Sequence, residues 1–235
     1  MMIARRILSF INQETDGLHK AAYVLATFTV VSQILGLVRD RMLAYTFGAG
    51  STLDIYYAAF RIPDLVLIFA GSIVSIAVIV PMLTGKLEEN KASAKKFLDS
   101  IFSFFFISII IACSILFFLA PFLLKIIFPG FVSSSSFADL VLLTRVFLLS
   151  PIFLGLSSLF SGIVQVYKRF LVYALSPIFY NLGIIMGILV FYPRFGIRGL
   201  ALGVVLGALL HMLVQVPSVF GQKMLPTFDV SIDWG

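Results

Sequence analysis

Residues 97–128 read FLDSIFSFFFISIIIACSILFFLAPFLLKIIF, and their only charges, Asp99 and Lys125, stand near the two ends. A hydrocarbon core of roughly 30 Å needs about 20 apolar residues per helix, and this run is longer than that. Working outward, five further apolar stretches stand at about 20–46, 53–85, 137–167, 171–193 and 198–221. The breaks between stretches carry turn chemistry: Phe47-Gly48-Ala49-Gly50-Ser51, Gly85 to Ala94, Pro129-Gly130 with Ser133 to Ser136, Tyr167-Lys168-Arg169, and Tyr192-Pro193-Arg194-Phe195-Gly196. The expected fold is an all-α membrane protein, a bundle of six transmembrane helices over residues 20–222. Several stretches exceed the minimum length, so tilts or kinks are expected. Pro63 removes a backbone hydrogen bond in the body of the second span, which should be bent or interrupted there.

Composition agrees with this. Hydrophobic residues fill 60% of the 235 positions and charged residues only 12%, outside the range of soluble domains. The single Cys113 lies in the apolar run Ile109 to Cys113, which excludes a disulfide framework or a cysteine-based metal site. Seventeen Lys and Arg against eleven Asp and Glu would point to nucleic acid in a soluble protein; in a bilayer the same excess marks cytoplasmic loops and lipid headgroups, so no nucleic-acid partner is expected. Residues 1–19 are expected to form an amphipathic interfacial segment, since Ile3, Ile7, Phe10 and Ile11 share a helical face with Arg5 and Arg6 turned away. The apolar stretch Ile7 to Ile11 is too short for a cleavable signal.

Basic residues are retained on the cytoplasmic side of short loops. Arg5, Arg6, Lys20, Lys86, Lys91, Lys95, Lys96, Lys168, Arg169 and Lys223 flank alternate ends of the stretches, whereas Arg194 and Arg198 flank the others and Lys125 can snorkel. The consistent topology is multi-pass in a plasma membrane, with both ends of this chain cytoplasmic.

An ionisable residue inside a span costs at least a few kcal/mol and usually faces a cavity or a partner. In the first span Ala22, Ala26, Thr29, Gln33, Gly36 and Asp40 recur at three- and four-residue spacing beside Arg39, a small and polar stripe on one face. In the second, Asp54, Tyr57, Arg61 and Asp64 repeat the spacing, and Ser72 and Ser75 continue it. One reading makes these faces the wall of a hydrated cavity for an anionic headgroup, with Arg39 and Arg61 binding phosphate through guanidinium geometry. The other makes Arg61 and Asp64 an intrahelical ion pair and places Arg39-Asp40-Arg41 near the headgroups. Arg145 is open between cavity and helix-end snorkelling. His211, Ser157, Ser158, Ser161 and Gln165 read mainly as packing or interhelical hydrogen-bonding residues, and the Gly199, Gly203, Gly207 ridge as a site of close helix packing. No nucleophile and base constellation, zinc spacing or phosphate-cradling loop occurs, so an enzyme is not expected.

Gly36-Leu37-Val38-Arg39-Asp40, then Phe47-Gly48-Ala49-Gly50, Asp54, and Ala59-Phe60-Arg61-Ile62-Pro63-Asp64-Leu65 resemble the opening signature of the MurJ/MviN lipid II flippase family, within the multidrug/oligosaccharidyl-lipid/polysaccharide flippase superfamily. Lys168-Arg169-Phe170, Pro177, Asn181 and Gln215-Val216-Pro217 resemble later family patterns, so that the resemblance runs from about Ala21 to Pro226. It implies an N-terminal lobe packed against a second lobe of six to eight helices around a cavity that alternates between two openings. Residues 223–235 then resemble the start of the connection between lobes, and the chain is expected to be a partial protein of about half the family's length. The implied substrate is undecaprenyl-pyrophosphate-linked muropeptide, lipid II, with Arg39, Asp40, Asp54, Arg61, Gln33 and Asp64 as the substrate-binding set. Departures stand at Gln33, where relatives commonly have arginine, at Leu67 and Ile68, where they have one or two more, and near Ser72, where an acidic Glu-Gly stretch is absent. No cofactor is implied; a coupling ion on Asp40, Asp54 or Asp64, or the membrane potential, is left open beside pairing of those carboxylates with arginine. The competing functions are flipping of another lipid-linked oligosaccharide of O-antigen or capsule type, and a non-transporting scaffold for cell-wall enzymes. The scaffold predicts that charge removal at Arg39 and Asp54 leaves function intact.

Overall fold

The computed structural model describes residue 14, residues 17–73 and residues 76–229. The expected interfacial segment at 1–19 and the end of the expected connection, 230–235, therefore lie largely outside the described residues. Those described are helical, without a strand: α1 (Leu18–Phe47), α2 (Ser51–Ala59), α3 (Arg61–Ile73), α4 (Ile76–Glu89), α5 (Lys91–Ile127), α6 (Phe137–Phe147), α7 (Leu149–Val166), α8 (Phe170–Met186), α9 (Tyr192–Phe195), α10 (Ile197–Leu213) and α11 (Val216–Gly221). A π-helical turn, Gly187–Phe191, joins α8 to α9. Among the described residues, six segments are long and apolar enough to cross a bilayer: His19–Phe47, Ser51–Glu89, Lys91–Ile127, Phe137–Val166, Phe170–Phe195 and Ile197–Gly221.

Three spans are interrupted two or three residues before a proline: the second, the fourth, and the sixth at positions 214–215 before Pro217. The second breaks at Phe60: Pro63 has no N–H for the Ala59 carbonyl, and α3 restarts with the Asp64 N–H donating to the Phe60 carbonyl at 2.8 Å. The fourth breaks at Leu148, four residues after Thr144, whose carbonyl still accepts the Leu148 N–H, and three before Pro151. The break expected across Gly85 to Ala94 is a single residue. Helix continues to Glu89, steadied by a Lys86–Glu89 ion pair at 3.2 Å, and resumes at Lys91 because the Asn90 side chain caps α5 by accepting the Ser93 N–H at 2.8 Å.

In lipid, helices associate through close packing and interhelical hydrogen bonds rather than by escape from water. The fifth and sixth spans show the first. A Cβ on Gly203 would fall on the Gly187 backbone, one on Gly207 on the Tyr180 carbonyl, and one on Gly199 on the Phe191 carbonyl. The glycine ridge is thus spent inside the chain. The fourth and sixth spans show the second: the Ser157 hydroxyl is 2.7 Å from His211 Nδ1, and the Ser161 hydroxyl donates to Gln215 Oε1 at 3.0 Å. Phe105, Phe147, Leu159 and Ile163 fill the centre between the second, third and fourth spans.

The even number of spans brings the turns bearing Lys86, Lys91, Lys168, Arg169 and Lys223 to one end. Contacts agree, since Arg169 Nη2 meets Glu14 at 3.1 Å and Lys95 Nζ donates to Thr227 Oγ1 at 3.2 Å. At this basic end the residues after α11 fold back along the third span. The Thr227 N–H donates to Asp99 Oδ1 at 2.6 Å, the Asp229 N–H to Ser103 Oγ at 2.8 Å, and the Phe228 ring meets Phe102 and Phe106 edge-on.

Candidate functional site

The Gly48-Ala49-Gly50 turn sets the first two spans side by side at the end opposite the basic one. Gly48 adopts φ +60, a left-handed conformation that ends α1 while its N–H still bonds the Ala44 carbonyl at 2.9 Å. Phe47 packs edge-on against Tyr192 at 4.6 Å, tying this corner to the fifth span. Below it the first, second and fifth spans enclose a cavity of about 380 Å³ lined by Arg39, Asp40, Tyr56, Arg61, Asp64 and Tyr180, among others. At 1.5 Å per residue, Arg39 lies about 12 Å along the helix from Phe47.

Arg39 is held from two directions. Its Nε donates to Asp40 Oδ1 at 2.8 Å, its Nη2 is 2.8 Å from the same oxygen, and its Nη1 donates to Asn181 Oδ1 at 2.7 Å across the helix interface. Asn181 is only 6% exposed and fully engaged, because its Nδ2 donates to the Ser32 carbonyl of α1 at 3.3 Å and to the Pro177 carbonyl of its own helix at 3.1 Å. Gly36 faces this amide, and a Cβ there would stand 4.0 Å from both of its side-chain polar atoms. Asn181 is thus the pin between the first and fifth spans and the orienting group for Arg39. Tyr56 forms the inner wall, stacked edge-on with Phe60 and Phe147.

Of the six residues singled out in the sequence, four line this cavity: Arg39, Asp40, Arg61 and Asp64. Gln33 lies outside it, on the exposed flank of α1 that also bears Ala22, Ala26 and Thr29; the face of α1 packed on α8 is a quarter-turn away, through Ser32, Gly36 and Arg39. Asp54 also lies outside it, exposed in the first turn of α2, where a carboxylate complements the helix dipole. The intrahelical Arg61–Asp64 ion pair is not formed; Arg61 makes no ion pair within 4 Å among the described residues, and both side chains are exposed at the cavity. Asp40, not Asp54 or Asp64, is the carboxylate that pairs with an arginine here. Arg145 lies elsewhere, at a groove between the third and fourth spans.

Sequence reasoning passed over Tyr56 and Tyr180 and did not see what Asn181 does. Its signal was available: a lone amide in an apolar span must find polar partners, and four residues after a proline it can reach that proline's carbonyl. Tyr56 and Tyr180 give no comparable signal, because tyrosine is ordinary in an apolar helix.

A six-span helical bundle with an ionic cavity between three of its spans defines a polytopic membrane protein built around a polar site. Residues 43–233 match the family described as Lipid II flippase MurJ, and the chain belongs to that family. It is 33% identical over 216 residues to the probable lipid II flippase MurJ of Buchnera aphidicola subsp. Acyrthosiphon pisum (strain APS), covering 89% of this chain and 42% of that protein. It is 34% identical over 221 residues to the corresponding Thermotoga maritima protein, covering 88% and 42%. With the lipid II flippase MurJ of Burkholderia cenocepacia the identity is 27% over 219 residues, covering 92% and 42%. A solved structure of a lipid II flippase MurJ in an inward closed conformation superposes with a TM-score of 0.72 at 24% identity, over 89% of this chain and 43% of that one, and shares the fold. The chain therefore spans less than half the length of the relatives it matches.

Proposed function

We propose that this chain is one lobe of a flippase that moves lipid II across the bacterial plasma membrane by alternating access. The supporting observation is the convergence of Arg39 and Arg61, from two different spans, on one cavity. The two guanidiniums play different parts. Arg61 has donors free of ion pairing among the described residues and takes the first phosphate contact. Arg39, already fixed by Asn181, exchanges Asp40 for the second phosphate, so that the site is charge-balanced when empty and gains anion affinity only as Asp40 is displaced. The polyprenyl tail stays in lipid.

The remaining family length supplies a second lobe and the opposite wall of the cavity, since one lobe forms only one side of an alternating-access site. The basic end faces the cytoplasm, which places both ends of this chain there and the cavity toward the external leaflet. The chain binds and moves its substrate without catalysing a covalent step. A second reading, another lipid-linked saccharide, draws on the cavity's balance of two arginines and two aspartates and on Gln33, Leu67 and Ile68, positions where the family resemblance implies arginine. The test is complementation: the chain, alone and with a second-lobe partner, is expressed in bacteria depleted of their lipid II flippase, and externally exposed lipid II is assayed. Rescue in either format supports the proposal. Stable insertion without rescue, together with accumulation of a different undecaprenyl-linked saccharide when the native gene is depleted, would favour the second reading.

A further inference from the structure

A second cavity, of about 940 Å³, opens between the third and fourth spans toward the end opposite the basic one. Its walls are apolar, with Cys113, Phe117 and Phe118 on one side and Val141, Leu142 and Ile152 on the other. It shares no lining residue with the Arg39 cavity. One cation stands in it. Arg145 Nε donates to the Phe117 carbonyl at 3.1 Å, and its guanidinium carbon lies 4.8 Å over the Phe117 ring, which fixes the plane of the group against the groove wall. Arg145 forms no ion pair among the described residues.

Depth identifies the anion that would pair with it. The fourth span is 30 residues long. At 1.5 Å per residue it measures roughly 45 Å, so it overhangs a core of about 30 Å by some 7 Å at each end. Arg145 lies eight residues, about 12 Å, from the Phe137 end, hence about 5 Å inside the hydrocarbon boundary. That is within reach of phosphates at the membrane surface for a long side chain. Lys125, two helical turns beyond Phe117 on the third span, reinforces the positive character at headgroup level.

We infer that this groove is a binding site for an anionic glycerophospholipid of the bilayer, with its acyl chains along the apolar walls and its phosphate on the Nη atoms of Arg145. Charge complementarity selects the phosphate, and the apolar walls select a chain-bearing ligand. The separation from the Arg39 cavity sets the site apart from the proposed transport route.

The test uses the chain purified into phosphatidylcholine vesicles doped with a small fraction of phosphatidylglycerol, followed by mass-spectrometric counting of the lipids that remain bound. Phosphatidylglycerol, whose phosphate charge is not offset by a choline ammonium, should be retained in preference to phosphatidylcholine by on the order of tenfold. Arg145→Gln should abolish the preference and Arg145→Lys keep part of it. Ser114→Trp, which fills the groove from an exposed position and leaves Arg145 in place, should reduce retention of both lipids. Equal retention by the wild-type chain, or a preference that survives both Arg145→Gln and Ser114→Trp, would overturn the inference. So would displacement of phosphatidylglycerol by undecaprenyl phosphate but not by excess phosphatidylcholine, which would make the groove a substrate-tail site. Loss of retention when a second lobe is co-expressed would make it a protein interface.

Discussion

Replacing Asn181 by leucine removes a pin that holds the first span to the fifth. Two hydrogen bonds cross that interface, Arg39 Nη1 to Oδ1 at 2.7 Å and Nδ2 to the Ser32 carbonyl at 3.3 Å; the third stays within α8. Interhelical hydrogen bonds in membranes average about 0.6 kcal/mol each. The bond from the guanidinium counts roughly double because its donor is charged. The loss is therefore about 2 kcal/mol, close to a thirtyfold shift in the folding equilibrium. Neither backbone carbonyl is orphaned, because each keeps its place in a helix, so no further desolvation term is added. The assay is equilibrium unfolding in bicelles titrated with a denaturing detergent, run on wild type, Asn181→Leu, Arg39→Leu and the double variant. The cycle should give a coupling of about 1 kcal/mol between the two side chains. A coupling indistinguishable from zero, with Asn181→Leu as stable as wild type, would refute the claim that this amide orients Arg39.

Three further outcomes follow from the packing. Gly203→Val should prevent close approach of the fifth and sixth spans and abolish a monodisperse peak in size-exclusion chromatography, whereas Gly85→Ala, with open space around its Cβ, should keep the peak and raise the melting temperature slightly. Asp99→Ala should free residues 224–229 from the third span, seen as faster amide exchange at Thr227 and Asp229 and faster proteolytic clipping there; unchanged protection would show that Phe228 and Met224 suffice to hold the segment. In a Cys113→Ala background, cysteines at Asp40 and Asp64 should react with a membrane-impermeant charged thiol reagent, while one at the fully buried Leu159 should not. Silence at both aspartates would mean that the cavity is not hydrated.

Most of the fold could be read from the chain because a bilayer constrains it severely: every backbone group must be satisfied within its own helix, so apolar run length maps directly onto spans. The stretches 137–167 and 198–221 coincide almost residue for residue with segments long and apolar enough to cross, Phe137–Val166 and Ile197–Gly221, and the glycine ridge packs within the chain as read. What misled was local. Gly85 to Ala94 looks like a loop by composition, yet Asn90 caps a new helix within one residue, a fact of side-chain geometry that polarity does not report. The spacing of Arg61 and Asp64 permits an ion pair, but both side chains turn to a space made by three spans, and helix periodicity carries no information about what stands opposite. The stripe through Thr29 and Gln33 was a true feature of one face, but the packed face is set by Asn181 on another helix, 142 residues beyond Arg39. Asp54 shares the periodicity of the second-span stripe and still falls outside the cavity, because it stands one turn nearer the Gly50 end of α2 than Tyr57, which does line it.

The central claim, that Arg39 and Arg61 together receive the headgroup phosphates, is tested most directly by external exposure of lipid II in flippase-depleted cells that carry this chain with its second-lobe partner. Wild type, Arg39→Ala and Arg61→Ala are compared at equal membrane abundance. Each substitution is expected to abolish exposure while leaving insertion normal. Undiminished exposure with either arginine replaced would contradict that expectation.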